Sequence, residues 1–344
     1  MLENSAVSVG LDVGDRWTYF CAVDHGGIVL QEGRVPSTTQ GLNGIIKTFR
    51  RAQWVMEAGT HSFWMDRHLC GSGIENIVVN PRRLKAVSDS LRKTDRSDAA
   101  MLALLGMFNP KLLWQVRHRS YDSQLGLGLL KVREQLVRTR TKLINTIRGL
   151  VKSFGARLRS CDTARFHKLR LDVPDGLREV VEPLFDVIET LQTKIGELDN
   201  QILQLAQSNP ASERLMSVPG VGPITSLAFV LVIDDPTRFA KTRQVGAYLG
   251  LTRRIDQSGD SNRELAITKA GDKMLRKLLV QCSHLVLRDK APDNALKQWG
   301  LRLLDRGGRG ARGKAVVAVA RKLATLLLSL WKKNQTFQAF PAAA

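Results

Sequence analysis

Ala6-Val7-Ser8-Val9-Gly10-Leu11-Asp12 is the stretch on which the reading of this chain turns. Small and β-branched residues alternate ahead of a carboxylate, the pattern of a strand that ends on an acid. A second apolar run, Gln53 to Met56, also closes on an acid, Glu57. Asp95 and Asp98 stand three apart at the start of a predicted helix, where residues at that spacing share a face. Singly, each acid reads as a turn residue or as a complement to a helix dipole. Together they read as a cluster facing one point. Like charges held close repel and shift one another's pKa unless a cation neutralises them. The cluster therefore points to a hard, oxygen-liganded ion such as Mg²⁺, with Mn²⁺ as the alternative. Two such ions can clamp a phosphodiester.

Composition narrows the partners. In 344 residues, 43% hydrophobic content can fill two or three domains, and 52 Lys and Arg against 32 Asp and Glu leave a formal charge of +20. That balance points to a polyanion, nucleic acid ahead of an anionic membrane surface, and disfavours acidic small molecules. The apolar run Ala315 to Trp331 is broken by Arg321 and Lys322 and cannot span a bilayer, so no membrane partner is expected. The chain opens on a strand pattern with no visible secretory signal. Cys21, Cys70, Cys161 and Cys282 are scattered without zinc or disulfide spacing. A cytoplasmic, nucleoid-associated protein fits these features.

Alternation from Val7 to Val35 predicts three antiparallel strands: Val7 to Val13, Trp17 to Val23 and Ile28 to Val35. Asp15-Arg16 and His25-Gly26-Gly27 form the turns. A helix over Gln40 to Arg51, a strand ending at Glu57, a helix after Ser62 and a strand through Ile77 to Val79 follow; then Thr94 caps the helix of Asp95 and Asp98. The order β-β-β-α-β-α-β-α is the ribonuclease-H-like pattern. There the first and fourth strands are neighbours, which brings Asp12 beside Glu57 by fold analogy. Arg82, Arg83, Lys85, Arg92, Lys93 and Arg96 surround the later acids, as a solvated loop or a phosphate-facing rim.

Between Ser120 and Ala206 the pattern changes to long helices. Leu129, Val132, Leu136, Leu143, Ile147 and Leu150 fit one heptad seam; Leu184, Ile188, Leu191, Ile195, Leu198, Ile202 and Leu205 fit another. These read as two arms of an antiparallel or intermolecular coiled coil. The first arm is basic, and Arg133, Arg138 and Arg140 are its candidate phosphate contacts; the second is acidic. Salt bridges within the hairpin are the competing account of those arginines.

The last region opens with Ser217-Val218-Pro219-Gly220-Val221-Gly222-Pro223 and an apolar helix, Ile224 to Ile233. Pro-Gly-Val-Gly between helices is a helix-hairpin-helix signature, in which Gly220 and Gly222 would let backbone amides approach a phosphate. The polar stretch Thr252 to Ser261 places Ser258 on a loop after Arg253 and Arg254, two further candidates for nucleic-acid contact. Arg306 to Lys314 is a flexible cationic linker ahead of the last helix.

These residues resemble the DEDD-type transposases of bacterial insertion sequences, the family of the Piv-like DNA invertases and the bridge-RNA-guided recombinases. Gly10-Leu11-Asp12-Val13 is similar to its first acidic motif, Met56-Glu57-Ala58-Gly59-Thr60 to its second, and Lys93-Thr94-Asp95-Arg96-Ser97-Asp98-Ala99 to its third and fourth. In the C-terminal half the resemblance lies in Ser217 to Gly222, Tyr248-Leu249-Gly250-Leu251, Gln257-Ser258-Gly259 and Thr268 to Asp272. It implies an α/β domain of RuvC type over residues 1–119 with a DEDD metal site of Asp12, Glu57, Asp95 and Asp98. A coiled-coil helical region over 120–206 would follow, and then a mainly helical transposase domain over 207–344. It also implies that Ser258 is a nucleophile forming a phosphoserine link to DNA, with Ser261 as the fallback. Arg253, where many members have Pro, and Gln257 before the serine depart from the commoner pattern and bear on loop shape.

The expected function is that of a transposase or site-specific recombinase acting on donor and target DNA, guided by a noncoding bridge RNA and working as a dimer or tetramer. A metal-dependent structure-specific endonuclease, resolvase-like and without a covalent intermediate, is the alternative. A non-catalytic nucleic-acid-binding protein is a third.

Overall fold

The computed structural model describes residues 7–81, 94–258, 261–308 and 310–340. They fall into two units that meet in sequence between His118 and Arg119. In the first unit, β1 (Val7–Val13), β2 (Trp17–Asp24) and β3 (Val29–Pro36) form the antiparallel meander that alternation predicts. After α1 (Thr39–Thr48) come β4 (Gln53–Glu57), α2 (Ser62–Gly71), β5 (Asn76–Val79) and α3 (Asp95–Phe108). The sheet order is β3-β2-β1-β4-β5, with β1 parallel to β4 and β4 to β5. First and fourth strands are therefore neighbours, as expected.

Strand alternation sorts the two faces. Val9, Leu11, Trp54 and Met56 pack with Leu42 and Ile45 of α1 and Met65 and Leu69 of α2. The intervening residues face α3. A Cβ at Gly10 would run into the Ala99 carbonyl and the Ala103 nitrogen, so only glycine lets the helix backbone lie this close to the strand. Further along, Gly106 of α3 sits over Ser8 and Val55. Thr94 caps α3 as expected, in a reciprocal capping box with Ser97.

In the second unit, α4 (Tyr121–Ser153) and α5 (Asp175–Ser208) form an antiparallel hairpin. It is followed by α6 (Pro210–Leu215), α7 (Pro223–Ile233), α8 (Gln244–Tyr248), the two-stranded β6 (Arg253–Ser258) and β7 (Ser261–Ile267), α9 (Lys273–Val286), α10 (Ala295–Asp305) and α11 (Ala311–Lys333). Helix α7 is apolar nearly throughout and buried against α4, α5, α6 and α9. Leu127 and Leu130 of α4, with Ile202 and Ala206 of α5, join that same core, so residues 120–206 pack with 207–344 as one unit. The far end of the hairpin has a core of its own around Ile147, Phe166, Phe185 and Ile188.

On α4 most of the seam is turned by about one residue from the heptad that leucine spacing predicts, whereas α5 largely keeps its expected positions. On α4 the buried positions are Leu127, Leu130, Arg140, Ile144, Ile147 and Val151, whereas Val132 is 53% exposed. On α5, Ile188, Ile195 and Ile202 are buried as expected, but Phe185 and Ala206 replace Leu184 and Leu205. On α4 the seam carries two polar pairs that apolar periodicity passes over, half-buried Arg133 with Asp199 and buried Arg140 with Gln192. Among the described residues no helix is long and apolar enough to cross a membrane.

Candidate active site

Leu11 of β1 pairs with Met56 of β4, so Asp12 and Glu57 are the next residues along two parallel strands. Strand period 2 puts Asp12 on the face of Ser8 and Gly10, and Glu57 on the face of Val55, which is the α3 face of the sheet. Helix α3 runs antiparallel to β1, since Ala99 lies over Gly10 and Gly106 over Ser8. Going back one turn from Ala99 and Leu102 reaches Asp95 and Asp98, on the same helical face and toward the Asp12 end of the strand. Register thus brings Asp12 and Glu57 side by side at the carboxyl ends of parallel strands, with Asp95 and Asp98 in the first turn of the facing helix. Among the described residues no three Asp, Glu, His or Cys side chains stand close enough together to hold a metal ion. The donor set, carboxylate oxygens on neighbouring strands, suits a hard divalent cation.

Beside this edge, Arg96 forms a two-pronged ion pair with Glu32 of β3, fastening the first turn of α3 to the sheet. The basic residues Arg82, Arg83, Lys85, Arg92 and Lys93 lie outside the described residues. His61, just ahead of α2, accepts from the Trp64 indole N–H at Nδ1 (3.0 Å) and faces Asp15 Oδ1 through Nε2 (3.3 Å). Sequence reading missed this pair. The His61–Trp64 spacing of three is legible, but Asp15 becomes a neighbour only through the β1–β4 pairing.

Ser258 ends β6 and is the register partner of Ser261 on β7, at the tip of the two-stranded ribbon. The base of the ribbon is fixed by two glycines with φ of +67° and +72°, Gly250 and Gly271. Side chains at either would collide with Ala270 or with the Tyr248 carbonyl. Arg276 of α9 bridges the two turns, donating to the Leu249 carbonyl (3.0 Å) and the Ala270 carbonyl (2.7 Å). Arg253 and Arg254, at the start of β6, are exposed.

The arginines of α4 divide. Arg133 donates to Asp199 (2.8 Å), and Arg140, 9% exposed, donates to Gln192 and to Thr163. Burial, then the charge of Arg133, pull the pKa of Arg140 down. The salt-bridge account applies to half-buried Arg133, whereas Arg140 lies in the hairpin interior and bonds neutral side chains. Arg138 is exposed and bonds Glu134 one turn back, which also accepts from Lys277. Burial of Glu134 opposes its ionisation, yet these two cations hold its pKa below the usual value. Gly220 and Gly222 are exposed in the turn between α6 and α7; Gly220 backs onto Leu285 and Val286 of α9, and Gly222 opens to solvent at the start of α7.

Comparison with known proteins follows the same division of the chain. A family model described as "Transposase", of the DEDD IS110 type, matches residues 9–155, and one described as "Transposase IS116/IS110/IS902 family" matches residues 212–298. The transposase for insertion sequence element IS1111A of Coxiella burnetii is 28% identical, over 96% of this chain and 91% of that protein. The protein y4rJ of Sinorhizobium fredii is 32% identical over 81% of this chain and 76% of its own length. The pilin gene-inverting protein of Moraxella lacunata is 28% identical over 76% of this chain and 73% of its own.

Proposed function

This chain belongs to the IS116/IS110/IS902 family of insertion-sequence transposases, enzymes that cut and rejoin DNA, and on that premise we propose a division of labour between its residues. Asp12, Glu57, Asp95 and Asp98 hold a divalent cation, Mg²⁺ or Mn²⁺, and Ser258 is the nucleophile. The observation that carries this reading is the placement of Asp12 and Glu57 side by side on the strand face toward which the first turn of α3 points. When bound, the cation supplies charge neutralisation at the scissile phosphate and favours the deprotonated form of an attacking hydroxyl. The acids orient that charge; exposed Arg253 and Arg254 offset negative charge building on the phosphate.

In this reading the Ser258 oxygen forms a bond to phosphorus while the bond from phosphorus to a deoxyribose oxygen breaks. The serine proton passes to solvent or to the departing oxygen. Rejoining reverses the step with the hydroxyl of another strand, so no external energy source is required. A noncoding bridge RNA selects the donor and target DNA, and the protein works as a dimer or tetramer. The exposed apolar residues flanking the seam, Leu125, Val132, Val187 and Leu205, are available to a second copy.

Incubating the purified protein with donor DNA, guide RNA and Mg²⁺ and then denaturing it tests the chemistry. A protein–DNA adduct that disappears in Ser258→Ala and persists in Ser261→Ala supports the serine assignment. Cleavage with no adduct would instead favour the endonuclease alternative.

A further inference from the structure

We infer that His61 is a positioning residue that clasps the loop after Asp12 to the loop after Glu57 and so sets the spacing of the two carboxylates. The inference rests on the reading that these acids hold a divalent cation. The parallel register between β1 and β4 ends at Leu11–Met56, one residue before the acids, while Asp12 stays paired with Tyr19 of β2 and Glu57 with Val79 of β5, so each acid is held from its outer side and a tie between the two loops adds a link across them. Beyond it each loop is stiff by itself. Ser37 Oγ donates to the Gly14 carbonyl (2.8 Å), and Gly14 N donates to Trp17 (3.1 Å). On the other side the buried Ser62 hydroxyl accepts from Gly59 N (3.0 Å) and donates to the Gly59 carbonyl (2.8 Å). The bond from His61 to Asp15 joins one loop to the other.

The chemistry of that bond is fixed from behind. An indole N–H only donates, so the Trp64 bond at 3.0 Å requires a lone pair on Nδ1 and leaves the hydrogen on Nε2, facing the Asp15 carboxylate. Trp64 packs on the sheet core, which anchors the ring. Two carboxylates brought together for a cation repel each other. A tie between their loops keeps them from spreading and reduces the reorganisation that cation binding demands, as outer hydrogen bonds do around other metal ligands. Because Asp15 is 93% exposed, the effect is modest.

Direct Mn²⁺ binding to the full-length protein, read by electron paramagnetic resonance without nucleic acid, tests the clasp. His61→Ala and Asp15→Ala should each weaken Mn²⁺ binding by about two- to fivefold, the reach of an exposed charged pair. His61→Gln, whose amide can both accept from Trp64 and donate to Asp15, should recover most of the loss. Asp15→Ala alters an exposed side chain, so it keeps the test open if His61→Ala melts early by circular dichroism. Glu57→Gln serves as the control for the acidic site. If Glu57→Gln abolishes binding while His61→Ala and Asp15→Ala bind as wild type, the clasp is overturned and the acids stand. Wild-type binding in Glu57→Gln would overturn the acidic-site reading, and the clasp with it. Equal loss in His61→Gln and His61→Ala, with Asp15→Ala unaffected, would make His61 a ligand instead.

Discussion

At the carboxyl end of α7, Asp234 adopts φ 65° and ψ −54°, a backbone conformation that most side chains avoid. It is held there by work at the start of α4: Ser120 donates to its carboxylate from both the backbone N–H (3.1 Å) and the hydroxyl (2.6 Å). Burial opposes ionisation of Asp234, but bonds from Ser120 and Ser123 outweigh it and hold the pKa below the usual carboxylate range. A carboxylate with a lowered folded-state pKa stabilises fully above its unfolded pKa and loses that contribution as pH falls through the folded one. Wild type and Asp234→Asn should therefore differ in Tm at neutral pH, and the gap should close in acid, below the ordinary Asp range; a constant gap would assign the effect to backbone strain. At the acidic edge, the expected outcome for Asp12→Ala is loss of strand cutting with nucleic-acid affinity within a few-fold of wild type. The acids repel phosphate, so filter binding alongside a cleavage assay separates the two effects. An equal fall in affinity would make Asp12 structural.

The elements of the first unit were largely legible because their signals are local. Alternation marks β1 and β4, and Thr94 with Ser97 marks the start of α3. Their meeting at Gly10 was not legible, since it depends on backbone approach and not on any side chain. The α4–α5 hairpin is the opposite case. Its two long arms could be read from heptads, which left antiparallel and intermolecular pairing open; leucine spacing held for Ile188, Ile195 and Ile202 of α5 but misassigned most of the α4 face, where Arg133 and Arg140 meet Asp199 and Gln192. That burial changes the predicted phenotype of the α4 arginines. Arg140→Ala leaves Gln192 unpaired and a void in the seam, and should cost about 2 kcal/mol of stability in denaturant unfolding. Arg140→Met fills the space without a buried charge and should be near neutral or stabilising. Fully wild-type stability in Arg140→Ala would place the side chain outside the seam in solution. Similar logic applies to the serine ribbon: Gly250→Ala forces a Cβ into Ala270, so it should lose the adduct as Ser258→Ala does while DNA still binds.

For the whole molecule, a net charge of +20 governs encounter with nucleic acid more than any single residue does. Affinity should fall steeply with salt, the slope counting the phosphates neutralised. With Arg133 and Arg140 spent inside the hairpin, replacing them should leave that slope unchanged, whereas Arg253→Ala with Arg254→Ala should flatten it by about one to two units. Assembly follows from the chemistry of the two proposed centres. An attacking oxygen must lie within bonding reach of the scissile phosphorus, next to the cation-holding acids. Ser258 and the acids reside in different units of the chain. A recombinase that joins two DNA duplexes must also keep a lone copy from cutting. Supplying the serine from one copy and the acids from another would meet both requirements, because under the proposed assignment no site would be complete before the copies assemble on DNA. Mixing Asp12→Ala protein with Ser258→Ala protein distinguishes the arrangements. Sharing between copies predicts that mixed assemblies regain one intact site and form the covalent adduct on at least one strand. Absence of adduct at every mixing ratio, beside an active wild-type control, would place serine and acids of each site on the same chain.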